Sequence, residues 1–189
     1  MDPITVDIVD RPLPPPRRFR AGGVFLIVVA SALVGLLLWA RGLPGFVAWE
    51  VARDHQRCFG RRQLAARLWT NDAWEIRDWL ESRGTPVQPL PERAGNVEVV
   101  GVRYCPLADR IAAHVYYGGE GSLVSVFVLS GSARIGSGWS GRSHGLQVRL
   151  IPSAGRTISV VGESADDVDA VARAFRSSLA AVDRPRPAC

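Results

Sequence analysis

Two short stretches hold most of the residues that could do chemistry. DHQRCFG (54–60) and RYCPLADRIAAHVYY (103–117) contain two of the three cysteines and two of the three histidines in 189 residues. Three kinds of chemistry suit this set. Cys58 and Cys105 could form a disulfide, which in an oxidising compartment stabilises a small domain by roughly 2–4 kcal/mol. His55, Cys58, Cys105 and His114 could instead hold a metal: two thiolates and two imidazoles suit tetrahedral Zn²⁺, and the thiolates also suit Cu(I). Third, the cysteines could be small buried hydrophobes with the histidines at the rim. The spacing H-x2-C…C-x8-H matches no structural zinc-finger pattern. Cys189 is the odd thiol, at the end of a DRPRPAC tail.

The spacing within each stretch carries information. His55 and Cys58 stand i, i+3, so on a helix they share a face. A hairpin with an even loop, for instance Ala108–Asp109, puts Cys105 opposite Ala112. His114 is then the next neighbour on the same face, on a diagonal of about 5.5–8 Å. An odd loop would put Cys105 and His114 on opposite faces. With the even register, both pairs converge where the first helix covers the sheet.

Enzyme signatures are missing. The chain has no G-x-S-x-G, no H-E-x-x-H and no Walker loop. Asp166, Asp167 and Asp169 crowd one turn and read as helix-start residues. A Cys105–His114 nucleophilic pair has no third residue to orient it and no oxyanion site. The chain is therefore expected not to be an enzyme.

The elements that must position these residues follow from periodicity. FVAWEVARDHQRCF (46–59) reads as a helix, with Val51, His55, Cys58 and Phe59 on one face. A second helix is expected over 71–82, with Asn71 as N-cap and Trp74, Ile76 and Trp79 in the core. Strands are expected at 97–105, 110–117, 122–129, 145–151 and 156–161, where β-branched and aromatic residues concentrate. The Gly/Ser-rich stretch 130–144 reads as a mobile loop. A last helix near 165–181 opens on Ser164 and Asp167, and Val168, Val171, Ala172, Phe175 and Leu179 form its apolar stripe. The expectation is an α+β domain over 46–182, with a mainly antiparallel five-stranded sheet packed with helices.

The front of the chain is different. AGGVFLIVVASALVGLLLWA (21–40) is a run of twenty residues without a charge. As a helix it would reach the roughly 30 Å of a bilayer core. Arg11, Arg17, Arg18 and Arg20 precede it and Arg41 follows closely, so the positive-inside rule predicts a cytoplasmic N-terminus. The expected plan is a cytoplasmic Pro/Arg-rich tail (1–20), a single transmembrane helix (21–40), a periplasmic domain (46–182) and a disordered tail (183–189). That places the protein in a bacterial inner membrane, with the lipid bilayer and another membrane or extracytoplasmic protein as partners. The net charge is +5, and every basic residue except histidine is arginine. These arginines are scattered without basic–aromatic interleaving, which argues against nucleic acid.

The order of motifs resembles the extracytoplasmic domain of bacterial transmembrane anti-sigma factors. The matching stretches are DHQRCF, VEVVGVRYC, RIAAHVYYGGEGSLVSVFVL, HGLQVRLI and RTISVVGE. The resemblance covers about 46–182. It implies that His55, Cys58, Cys105 and His114 are the motif positions, with His144 a fifth. Members of the family carry a cytoplasmic sigma-binding domain; here twenty Pro-rich residues stand in its place, so the resemblance carries over the sensory or assembly half and leaves sigma-factor capture open. The resulting expectation is a membrane-anchored sensor or binding domain. Its alternative is an accessory structural subunit of a larger membrane complex, docking through the sheet and the Trp-bearing helices.

Overall fold

The computed structural model describes residues 21–40, 43–60, 66–85, 90–107, 110–131, 137–153 and 155–182. The expected tails at 1–20 and 183–189, with Cys189, lie outside the described residues. The chain forms two compact units, Met1–Leu38 and Trp39–Cys189.

The first unit is dominated by helix α1 (Ala21–Ala40). Phe25, Leu26, Ile27 and Leu37 are all well exposed on it. Among the described residues, however, no helix is long and apolar enough to cross a membrane. The single-pass, inner-membrane placement is corrected accordingly.

The second unit holds α2 (Pro44–Gly60), β1 (Leu68–Trp69), α3 (Ala73–Glu81), β2 (Arg93–Ala94), β3 (Val97–Leu107), β4 (Arg110–Gly119), β5 (Ser122–Ser130), β6 (Trp139–Ser143), β7 (Leu146–Ser153), β8 (Arg156–Gly162) and α4 (Ala165–Val182). All strand pairings are antiparallel. The sheet has eight strands in the order β1-β3-β4-β5-β8-β7-β6, with β2 also paired to β3. The plan of one transmembrane helix followed by a five-stranded sheet packed with helices is thus corrected: the described residues form four helices, none long and apolar enough to cross a membrane, and an eight-stranded sheet.

The added strands have physical explanations. β1 and β2 are too short to show a period, and they exist because β3 offers its edge. Gly101 makes the first possible: a Cβ there would stand 2.7 Å from the Leu68 carbonyl oxygen. A register shift between Val99 and Gly101 accompanies the same stretch. β6 lies inside the Gly/Ser-rich stretch that reads as a loop. Pairing with β7 overrides its low strand propensity, because an edge strand needs one partner and little side-chain packing.

Helices cover both faces of the sheet. α3 and α4 lie on one, where Ile76, Leu80, Val168, Val171, Ala172 and Phe175 pack on Val97, Val99, Val102, Val115, Tyr117, Val126 and Val160. Arg149 of β7 ties α4 down through both carboxylate oxygens of Asp169, at 2.7 and 3.2 Å. α3 starts one residue later than Asn71 suggests, because Asp72 caps it: its carboxylate accepts from the amides of Trp74 and Glu75. That start turns Trp74 outward, 61% exposed with Arg77 over its ring, so it is not a core residue. Ser164 accepts from the Asp167 amide at the head of α4.

α2 lies on the other face. Val47, Ala48, Val51, Ala52 and Cys58 pack on Cys105, Leu107, Phe127, Leu129, Val148, Leu150 and Val161. Odd-numbered residues of β3 beyond the bulge, even-numbered residues of β4 and odd-numbered residues of β5 point to this helix, and the candidate site lies there.

Candidate metal centre

Four elements bring the polar residues together. α2 carries Asp54, His55 and Cys58, within just over one turn. β3 carries Arg103 and Cys105, two residues apart and therefore on one face. β4 supplies His114 and Tyr116, and β5 supplies Ser125. The registers Arg103↔His114, Cys105↔Ala112 and Tyr116↔Ser125 put these groups side by side. Leu107 pairs with Arg110, so the two strands meet in the even register.

At the centre, Asp54, Cys58, Cys105 and His114 form a group whose ligand atoms all lie within 4.8 Å of one another. Cys105 Sγ is 3.1 Å and Cys58 Sγ 3.9 Å from His114 Nδ1. Cys58 Sγ donates to Asp54 Oδ2 at 3.4 Å. Both cysteines are free thiols. Cys105 and His114 are fully buried, Cys58 is 5% exposed, and Asp54 is partly buried.

A second layer of polar groups surrounds this core. Arg103 donates from Nε to Cys105 Sγ at 2.8 Å and from Nη2 to Cys58 Sγ at 2.9 Å. Ser125 Oγ sits between two imidazoles, 2.7 Å from His114 Nε2 and 2.8 Å from His55 Nδ1. One consistent proton order runs through this chain. If His114 Nδ1 presents its lone pair to the sulfurs, Nε2–H donates to Ser125, and the Ser125 hydroxyl donates to His55 Nδ1. The ring of His114 is held between Phe127 and Tyr116, with centroids at 4.0 and 4.2 Å.

Burial and charge set the protonation states. Burial lowers the His55 pKa to about 4. His114 is pushed well down by burial, by the Arg103 charge and by His55, so it is a neutral imidazole. The Cys105 thiol is pushed up by its hydrogen bond with Cys58, by burial and by the Asp54 charge, with Arg103 pulling the other way. Burial works against the charge on Arg103, but Cys105, Tyr116 and Cys58 outweigh it and raise its pKa. A guanidinium fixed against two sulfurs is poised to stabilise them as thiolates once something replaces their protons.

The donor set fits a metal ion. In a tetrahedral site with Zn–S near 2.3 Å and Zn–N near 2.0–2.1 Å, sulfur and nitrogen ligands sit about 3.5 Å apart. The 3.1, 3.9 and 3.4 Å separations bracket that edge length. The Tyr116 hydroxyl adds a second sign. It is buried, has no hydrogen-bond partner among the described residues, and feels the charges of Arg103, Cys58, Cys105 and Asp54. A buried hydroxyl without a partner beside a donor cluster suits a site that takes up another group.

Of the four residues read from the sequence, Cys58, Cys105 and His114 come together. His55 is buried behind Ser125, one hydrogen bond removed from the core. His144 lies apart, at positive φ in the β6–β7 turn, with its carbonyl accepting from Gln56. Sequence reasoning passed over Asp54, Arg103, Ser125 and Tyr116. Asp54 stands i, i+4 from Cys58, and Arg103 shares strand parity with Cys105, so both had a signal. Ser125 had a fainter one, as the single polar residue inside LVSVFVL. No family model, no curated protein and no solved structure matches the chain.

Proposed function

We propose that this chain is a zinc-dependent sensory or binding domain in which metal occupancy controls how α2 is held on the sheet. The observation that carries this reading is the group of four N, O and S donors from α2, β3 and β4 within 4.8 Å of one another. Charge counting selects the ion. Two thiolates, one carboxylate and a neutral imidazole around Zn²⁺ carry one net negative charge, and Arg103 cancels it. The same donors around Cu(I) leave a net charge buried, which is costly. Two of the four ligands come from α2 and two from the β3–β4 hairpin, so metal binding is a cross-link between layers and its loss loosens one. The resemblance to anti-sigma factor sensory domains rests on the same helix and hairpin, and supports a role in sensing rather than catalysis.

The test is elemental analysis of the reduced, purified chain with Cys58→Ser and Cys105→Ser as controls. One zinc per chain, lost in both variants, is the expected result. Cobalt substitution should give thiolate-to-metal charge-transfer bands that vanish in the same variants. A stoichiometric preference for Cu(I) would overturn the zinc assignment, and the absence of any bound metal after zinc addition would overturn the metal reading.

A further inference from the structure

We propose that Cys58 and Cys105 are also an oxidation site, at which a peroxide converts the thiol pair to a disulfide and expels the metal. The expulsion rests on the zinc reading above; the oxidation does not. Both sulfurs are free, lie within 4.8 Å of each other, and accept from the same guanidinium. No side chain needs to travel between elements for them to meet: one is on the last turns of α2 and the other directly beneath it on β3. A disulfide needs about 2.05 Å between sulfurs, so its formation has to close a gap of no more than 4.8 Å.

Burial sets the order of events. Cys58 has 5% of its surface exposed and Cys105 none, so the peroxide meets Cys58 first. The Cys58 thiolate attacks one peroxide oxygen. The S–O bond forms, the O–O bond breaks, and hydroxide leaves to take a proton from solvent, giving a sulfenic acid and one water. The Cys105 sulfur then attacks the Cys58 sulfur. The S–S bond forms, the S–O bond breaks, and the second hydroxide leaves as water. The two sulfurs together lose two electrons and the peroxide gains them. Asp54 and His114 would then be the only two of the four donors left to a bound zinc, too few to hold it against solvent. Arg103 bridges both sulfurs, Nε to Cys105 and Nη2 to Cys58, and so holds the pair side by side. Oxidation replaces a metal cross-link between α2 and β3 with a covalent one, so oxidative loss of the ion leaves α2 tethered, whereas its removal by a chelator loosens the helix.

The experiment uses the full, reduced, zinc-loaded chain with Cys189→Ser to remove the third thiol. Hydrogen peroxide is added, zinc release is followed with a chromogenic chelator, and peptides are mapped without reduction. The expected result is one zinc released per two thiols lost, with a Cys58–Cys105 peptide pair lighter by two hydrogens, and both changes reversed by dithiothreitol plus zinc. In Cys105→Ser a dimedone adduct should accumulate on Cys58; in Cys58→Ser, Cys105 should stay unmodified. Retention of both thiols and zinc, oxidation to sulfinate without a disulfide, or disulfides only between chains would overturn the proposal. If the disulfide forms in a protein that never binds zinc, the metal reading fails and the oxidation site stands. If zinc binds and the thiols survive peroxide, the reverse holds.

Discussion

The two faces of the sheet are built from alternate residues of the same strands, yet they differ in kind. Toward α3 and α4, the strands present Val102 and Tyr104, Ala113 and Val115, Val124, Val126 and Val128, a continuous apolar surface. Toward α2, the neighbouring positions are Arg103 and Cys105, His114 and Tyr116, Ser125 and Phe127. The buried polar or charged residues among those described, Glu50, His55, Arg103, His114, Ser125, Thr157 and Ser159, all belong to α2 or to strand positions of this second parity. Burying polar groups costs free energy unless each is partnered. A chain that needed only a stable sandwich would have no reason to accept that cost on one face. The contrast separates a face that holds the fold together from a face that holds a site.

The sharpest way to break the comparison is to damage the apolar face and ask whether the site notices. Phe175→Ala removes a fully buried ring that packs at 6.3 Å from Tyr117. It should cost about 3–5 kcal/mol in urea unfolding, while molecules that remain folded still bind one zinc. A loss of metal at low urea, before unfolding, would show that the two faces are not independent.

Acid should act on the α2 face first. His55 takes its proton near the ordinary imidazole value when unfolded but only near about 4 when folded. Between those values the unfolded chain binds more protons, so stability of the metal-free protein falls as pH drops through that window. The loss from His55 alone amounts to about 3 kcal/mol. His114 shifts in the same direction and adds to it. Denaturant midpoints between pH 7 and pH 4 measure the slope, and His55→Gln should flatten it. A slope unchanged by that variant would place the acid response elsewhere.

Zinc should sharpen the contrast from the other side. At a free metal concentration a hundredfold above Kd, binding adds about 2.7 kcal/mol. Hydrogen exchange should show that protection concentrated in α2, β3 and β4, with α3 and α4 changed little. The smallest effect belongs to a residue remote from both faces of the argument. Asp72→Ala removes the cap of α3 and should cost about 1 kcal/mol with no change in metal affinity.

Much of this arrangement was legible in the sequence. The i, i+3 spacing of His55 and Cys58 predicted a common face, and the positions of β3, β4, β5, β7 and β8 followed from their β-branched runs; Cys105 and His114 share a face only with an even loop, and that parity was left open until the β3–β4 register fixed it. What was illegible had physical causes. β1 and β2 are held by pairing with β3 and have no period to detect. β6 is an edge strand written in glycine and serine. The exposure of Trp74 depends on a one-residue shift of the α3 cap. The separation of His55 from the donor core depends on Ser125, whose position is decided by the β4–β5 register and not by anything local. The membrane reading of residues 21–40 relied on the length of an uncharged run and on the arginines flanking it, and no helix among the described residues is long and apolar enough to satisfy it.

The place of β8 between β5 and β7 has a consequence for how the chain comes to be folded as it is made. β3, β4 and β5 are sequential and can pair as soon as they are synthesised, but the outer edge of β5 then waits for β8, through pairs from Val124↔Gly162 to Ser130↔Arg156. α2, made earliest in this unit, rests on β6, β7 and β8 as well as on β3. Its seat is therefore completed by the last strand to emerge from the ribosome, and long-range pairing of this kind is slow. Through that interval the cysteine-bearing helix and an unpaired strand edge coexist in the nascent chain, a state open to pairing with other chains. A chain halted after Ser130 should then associate with itself, while one extended past Gly162 should not, and light scattering of the two would tell them apart.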